Sequence, residues 1–257
     1  MEITLTTYLI VLPLIFFAGL VDSIAGGGGL ISVPAYMAAG LPPHLVLGNN
    51  KFSSCIGTTF TTARYFKHGL IDIKFAIWSA IFALIGSTIG TNVVLMLDPH
   101  FLNYLLLILL PIILIFSLVK KDLGKINNSH LISNKKKYIL IIIASLIIGF
   151  YDGFFGPGTG AFLILFFTGL LHYDFVKANG NTKVINLASN IAALTTFLVH
   201  GKVLFALAVP AALFGILGNV VGSKMVLTNG SKIIKPFFII VVALLFIKIL
   251  WTTFFSK

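Results

Sequence analysis

The sequence predicts an all-helical polytopic membrane protein. It reads as two homologous repeats of about five apolar segments each, roughly 8–10 crossings, inverted relative to each other and with broken helices near the centre. Three observations carry that reading. Of 257 residues, 58% are hydrophobic and only 10% charged, and mean hydropathy is +1.06; a soluble domain carries about 25% charged residues. Apolar runs fall near residues 5–21, 30–40, 51–66, 75–97 and 101–119, then near 138–151, 159–172, 183–199, 203–222 and 233–252. The two sets also match each other in sequence.

The match is blockwise. "GLVDSIAGG" at 19–27 lies against "GFYDGFFGP" at 149–157, an offset of 130 that superposes Gly19 on Gly149, Asp22 on Asp152 and Gly26 on Gly156. After a two-residue insertion, "GNNK" at 48–51 lies against "GNTK" at 180–183, and "HG" at 68–69 against "HG" at 200–201. The same offset of 132 brings "FALIGSTIG" at 82–90 onto "FGILGNVVG" at 214–222. A consistent offset across these blocks marks a duplication: residues 1–119 as a first membrane repeat, 120–137 as a basic cytoplasmic linker, and 138–257 as a second repeat.

In chain order, "MEITLTTYLIVLPLIFFAGL" lacks the basic start of a secretory signal and reads as the first membrane segment. It is followed by Asp22 and the run Gly26, Gly27, Gly28, Gly29. Glycine inside a helix costs about 1 kcal/mol relative to alanine. The first helix is therefore expected to end near Asp22-Ser23 and a short one to start near Leu30. The second and seventh runs fall short of the ~20 residues a crossing needs, so they read as half-helices. In the second half the break is repeated by Gly156, Gly158, Thr159 and Gly160.

Lysine placement sets the expected orientation. With the six-lysine loop 120–137 cytoplasmic, the turn near Arg64, Lys67 and Lys74 is also inside and Asp98-Pro99-His100 outside. Inverted repeats then bring Lys224, Lys232 and Lys235 inside and Lys202 outside, whereas parallel repeats would reverse this. A parallel 4+4 arrangement with re-entrant short segments is the alternative. The net charge of +11 is thus a topology signal and not a nucleic-acid footprint. Cys55 is the lone cysteine, which leaves no disulfide framework and no thiolate metal cluster. The glycine-rich loops lack the "GK[ST]" ending of a phosphate-binding loop. No cofactor, metal or enzymatic constellation is expected.

The duplicated breaks and lysine motifs are the candidate site. Corresponding helix interruptions in two repeats are the best sequence pointer to a transporter's binding site. The new helix N-termini at Gly26–Gly29 and at Gly156, Gly158 and Thr159 offer free N–H groups and a positive dipole end to an anion. Glycines that merely allow tight helix crossing are the alternative. Asn49, Asn50, Asn181 and Thr182 add amides and a hydroxyl, and Lys51 and Lys183 add charge. These lysines open their apolar runs, so each either faces the cavity or snorkels to the interface. Asn186 and Asn190 follow Lys183 at i+3 and i+7 on one helical face. Asp22 and Asp152 can pair with the lysines, carry a coupling proton, bind a coupling cation, or cap the breaks. His68 and His200 read as interfacial turn residues.

"GLVDSIAGGGGLISVP…LVLGNNKFSS" and "GFYDGFFGPGTGAFL…KANGNTKVIN" resemble the TauE/SafE sulfite exporter family, also called the sulfonate uptake permease family, over residues 8 to 250. The resemblance implies a bacterial inner-membrane transporter of sulfite, sulfonates or related organosulfur anions. The first copy departs from the family pattern in its "AGGGG" run and in Asn50, where the second has Thr182. A passive anion channel, and an intramembrane enzyme or assembly partner acting on a lipid-linked anion, are the other functions open to such a chain.

Overall fold

The structure is a computed structural model and describes residues 4–96, 124, 126–234, 236, 237, 239, 240 and 243. The run near 101–119 and most of that near 233–252 lie outside the described residues, as do Asp98-Pro99-His100, Lys120, Lys121, Lys125 and Lys235. Among the described residues there are α-helices, one 3-10 turn at Ser129–Leu131, and no strand. The helices are α1 (Leu5–Ala25), α2 (Gly29–Ala38), α3 (Pro43–Lys67), α4 (Ile73–Met96), α5 (Asn134–Phe154), α6 (Thr159–Gly169), α7 (Phe175–Val199) and α8 (Phe205–Asn229).

Local chemistry sets the ends. Thr4 and Ser133 cap α1 and α5, accepting from the N–H groups of Thr7 and Lys136. Proline at the first position starts α3. Asp174 caps α7 by accepting from Val176 and Lys177 N–H, both at 2.9 Å. Helices α3 and α7 finish at His68 and His200, each with Nδ1 2.8 Å from a carbonyl one turn back, at Arg64 and Thr196. The two histidines are turn residues, as expected.

The short runs form half-helices of 10 and 11 residues, α2 and α6, about 15 Å long at 1.5 Å per residue. Five helices (α1, α4, α5, α7 and α8) are long and apolar enough to cross a membrane. Helix α3 matches α7 in length, 25 residues each, but Asn49, Asn50, Lys51 and a series of Ser and Thr residues keep its hydropathy low. One expectation fails here. "GNNK" and "GNTK" do not open helices; α3 and α7 begin five residues before the motifs, at Pro43 and Phe175, and the polar motifs lie inside them. The apolar runs began late because site residues interrupt the hydrophobic pattern, not because the helices start there.

Each of α1–α2 and α5–α6 is a hairpin that turns back on itself. Val33, Tyr36 and Leu41 beyond the first break pack with Val11 and Ile15 before it. Leu163, Phe166 and Phe167 return onto Ile141 and Ala144. The breaks meet tip to tip: a Cβ on Gly26, whose φ is +71°, would lie 2.3 Å from the Cα of Gly160.

Contacts between the halves come in reciprocal pairs. Tyr8 Oη donates to the Ala206 carbonyl at 2.9 Å, and Tyr138 Oη to the Lys74 carbonyl at 3.2 Å. Helix α1 runs alongside α8 in the same direction, with Gly218 against Phe16 and Gly222 against Leu20. Helix α4 runs likewise beside α5, with Gly86 against Leu146 and Gly90 against Phe150. At the centre α3 and α7 are antiparallel: Lys51 meets Asn190, Thr62 meets the Lys183 carbonyl, and the Gly69 carbonyl meets Lys177. Gly48 abuts the Lys202 carbonyl and Gly180 the Leu70 carbonyl.

These contacts gather the basic residues at one end. Arg64, Lys67 and Lys74 flank a turn whose Gly69 and Asp72 bond the start of α7 at Lys177 and Asn181. Tyr138 ties the start of α5, with Lys135, Lys136 and Lys137, to the start of α4. Gly230, after α8 and near Lys224 and Lys232, abuts Val176. Lys202 lies at the other end, between α7 and α8, against Gly48.

The seams give a direct test. A Cβ on Gly218 would sit 2.0 Å from the Phe16 carbonyl oxygen, whereas one on Gly215 meets Ile15 and Ser53 at 3.5 and 3.6 Å, an ordinary contact. Gly218→Ala is expected to destabilise the fold by about 1–3 kcal/mol, as overpacking does. Gly215→Ala should leave the melting of purified protein in detergent unchanged.

Candidate functional site

Lys51 and Lys183 project from the crossing of α3 and α7, each eight residues past its helix start. Neither snorkels: their side chains are 2% and 0% exposed. A lone lysine at the centre of a membrane helix costs about 2.5–3.5 kcal/mol, so each needs a counter-charge. Lys51 Nζ lies 2.8 Å from Asp152 Oδ2 and Lys183 Nζ 2.8 Å from Asp22 Oδ2. Each lysine is therefore neutralised by the carboxylate of the other half. Among the described residues neither carboxylate accepts a backbone N–H, so pairing, not capping, is what the structure shows for Asp22 and Asp152.

The two pairs are not equivalent. Asp152 is 2% exposed, accepts the Ser189 hydroxyl at 2.5 Å, and shares Lys51 with Asn190 Oδ1 at 3.0 Å. Asp22 is 16% exposed and accepts only a long 3.5 Å bond from Thr58 besides Lys183, which also donates to the Asp22 carbonyl at 2.6 Å. At an effective dielectric of about 20, a contact of this length is worth roughly 6 kcal/mol of gross attraction. Desolvation offsets most of that, but removing one partner strands a buried charge.

Between the hairpin tips and the α3–α7 crossing lies a small polar cavity. Its walls include Asp22, Gly26, Gly29, Asn50, Lys51, Asp152, Gly156, Thr159, Gly160, Asn186 and Asn190, all residues singled out from the sequence, together with Ser54. The space is about that of a single water. Amides of Leu30, Ile31 and Ser32 bond back to the Gly27 and Gly28 carbonyls. Among the described residues no acceptor meets the N–H groups of Gly27, Gly28 and Gly29. The first break thus retains unused donors at the start of α2, the property that favours an anion, whereas in the second the Gly156 and Thr159 N–H groups bond the Tyr151 and Gly156 carbonyls.

Other singled-out residues lie elsewhere. Gly27 and Gly158 (φ +87°) shape the tips without lining the cavity, and Gly28 borders a neighbouring crevice. Lys183 stands behind Asp22. Asn49 Nδ2 donates to the Leu45 carbonyl one turn back at 2.7 Å. Asn181 does the same to Lys177 at 2.9 Å, and its Oδ1 accepts the Asp72 N–H at 2.9 Å, holding the start of α4. Thr182 is fully buried, its hydroxyl without a partner among the described residues.

Sequence reasoning passed over Ser54, Ser189 and Asn179. The first two share helical faces with Asn50 and Asn186, at i+4 and i+3, and that spacing was the available signal. Asn179 Nδ2 donates to the Ser23 and Ile24 carbonyls at 2.9 and 3.0 Å, securing the last turn of α1 beside the break. Its first-half counterpart is Leu47, so the repeat does not announce it.

Comparison with known proteins gives a consistent result. The family model described as sulfite exporter TauE/SafE matches residues 11–249. The probable membrane transporter protein ORF9 of a Sinorhizobium species is 36% identical over 235 residues, covering 91% of this chain and 89% of that protein. The probable membrane transporter protein YfcA of Escherichia coli K12 is 34% identical over 248 residues, covering 94% and 90%. A probable membrane transporter protein of Haemophilus influenzae is 34% identical over 226 residues, covering 88% and 87%. No solved structure matches the chain.

The asymmetry of the pairs predicts unequal mutational costs. Lys51→Met strands Asp152 and should destabilise the protein by about 3–5 kcal/mol, with Lys51→Met/Asp152→Leu recovering most of the loss. Lys183→Met, which leaves the more exposed Asp22, should cost less. Thermal melting of the four proteins, wild type included, in one detergent reads the order.

Proposed function

The chain belongs to the TauE/SafE sulfite exporter family of membrane transporters, and from that premise we propose that it is a secondary transporter of a small anion. Sulfite, a sulfonate or another organosulfur oxyanion is the substrate class, in keeping with the description of the family. The observation that carries this reading is the meeting of two helix breaks, the first with unused N–H donors, beside a buried lysine in a polar cavity at the crossing of α3 and α7. An oxyanion has the charge for Lys51 and the acceptors for Asn50, Asn186 and the Gly29 amide, and for the Thr159 hydroxyl once that leaves the Gly156 carbonyl it bonds at 2.7 Å.

The transporter is an inverted duplication, 1–119 and 138–257 joined by the basic segment 120–137, in the cytoplasmic membrane of a bacterium. Support comes from the antiparallel α3 and α7, from the reciprocal contacts, and from the gathering of Arg64, Lys74, Lys135 and Lys224 at the end away from Lys202. By the positive-inside rule that end is cytoplasmic. With both lysines already paired, an entering anion competes with a carboxylate, and a proton taken up by Asp22 or Asp152 would keep the site neutral. The carrier so described couples anion movement to a proton.

Flux into proteoliposomes tests the reading, with sulfite, thiosulfate and a sulfonate as candidates and an imposed pH gradient as the driving force. Saturable, pH-driven uptake of one of them is expected. Lys51→Ala and Lys183→Ala should each lower uptake or apparent affinity by at least about tenfold, the effect of losing about 1.4 kcal/mol of binding. Unchanged flux and affinity in both variants would remove the anion site from these lysines. Non-saturating flux without pH dependence would favour a channel.

A further inference from the structure

Asp22 borders two spaces. One is the central cavity; the other is a crevice between α1, α2, α3 and α8, walled by Ile15, Gly19, Ser32, Gly215 and Asn219 among others. The crevice has a direction. From Asp22 it follows α1 back to Ile15, α8 back from Asn219 to Gly215, and α2 forward from Gly28 to Ser32. Each of these steps leads toward the end where α1 and α8 begin, where Tyr8 bonds Ala206 and where Lys202 lies.

Asp152, the counterpart of Asp22, is sealed. Lys51, Asn190 and Ser189 all engage its pair, and it is 2% exposed against 16% for Asp22. The crevice walls are themselves buried, Asn219 at 3% and Ile15 and Ser32 at 2%, as are Ala83 and Ser87, which match Gly215 and Asn219 in the other half; what differs between the halves is the exposure of the carboxylate. The charged groups around Asp22 are Lys183 from α7, Lys51 from α3 and Asp152 from α5; Thr58 from α3 adds a long hydroxyl contact.

We infer that the Asp22 carboxylate, latched by Lys183, is the gate between the central cavity and the face that carries Lys202, with the α1–α2–α3–α8 crevice as its approach. The pair Lys51–Asp152 holds the opposite side shut. Release of Asp22 from Lys183 joins crevice to cavity without disturbing Lys51. This deepens the transport reading by naming its route on one side, yet its test reads accessibility, so a failed flux assay and a failed gate are separate results.

The test is sided thiol labelling of the full chain in sealed membranes, in a Cys55→Ser background, with a small impermeant anionic methanethiosulfonate. Lys202→Cys and Lys224→Cys identify the two sides, independent of any assumed orientation. Added from the Lys202 side, the reagent should modify Gly215→Cys, a site with room for a side chain, and spare Ala83→Cys. Asn186→Cys, in the central cavity, should react slowly, and about tenfold faster with Asp22→Asn, the shift a gate of this kind gives when its latch is lost. Asp152→Asn should produce no such acceleration from that side. Thr159→Cys serves as the cavity reporter if Asn186→Cys does not assemble. Equal acceleration by both substitutions, acceleration by Asp152→Asn alone, or modification of Ala83→Cys as fast as Gly215→Cys would overturn the assignment.

Discussion

A lysine at membrane depth must find a negative charge, and here each lysine finds it in the other half of the molecule. That single requirement accounts for much of the architecture. Lys51 reaches Asp152, and Lys183 reaches Asp22, only because α3 and α7 cross antiparallel and because α1 and α5 bring their last turns to the crossing. A chain carrying a carboxylate that deep must then turn back, and the glycines at Gly26 and Gly156, with φ of +71° and +95°, supply the turn. The irregular backbone that results is tolerable at this depth because it is buried in protein and faces a polar space.

The glycine seams complete the arrangement and divide the molecule unexpectedly. Helix α1 lies on α8 and α5 on α4 through contacts so close that side chains on Gly218, Gly222, Gly86 or Gly90 would strike backbone atoms. Each hairpin is therefore packed against the last described helix of the opposite half, while its carboxylate is tied to the opposite half's central helix. The hairpins are exchanged between halves both in packing and in charge. Such a construction cannot be separated into two independent bundles.

Much of this was legible in the sequence, with informative exceptions. The breaks and the half-helices followed from glycine-rich stretches that recur at offsets of 130 and 132 and interrupt the apolar pattern in both halves. The cross-pairing did not follow: nothing in "GLVDSIAGG" or "GNTK" says that Asp22 meets Lys183 and not Lys51, since that depends on how the halves dock. The starts of α3 and α7 were misplaced because Asn49, Asn50 and Lys51 interrupt the apolar pattern exactly where the site is built. Asn49 and Asn181 looked like cavity residues, but an asparagine that bonds the carbonyl one turn back is indistinguishable by type from one that faces a ligand. Asn190 and Thr58 occupy matching positions, yet Asn190 takes a bond from Lys51 while Thr58 only reaches Asp22 at 3.5 Å, so two ion pairs of equal length have different surroundings.

That difference bears on how a site of zero net charge handles a charged substrate. Two lysines and two aspartates cancel at the crossing, so the site carries no net charge and no unpaired ion. On the transport reading, a monovalent anion can enter only if one carboxylate leaves its lysine or is neutralised, since two charges of one sign beside one ammonium would be left uncompensated in a poorly solvated space. The carboxylate whose second bond is long, 3.5 Å against 2.5 Å, is the one that yields. Asp152 would have to part from Lys51 and Ser189 while Asn190 kept hold of the lysine; Asp22 has only Lys183 and a distant Thr58 to leave. On that reading the two halves supply matching frames, and small departures from equivalence between them let one frame hold and the other open.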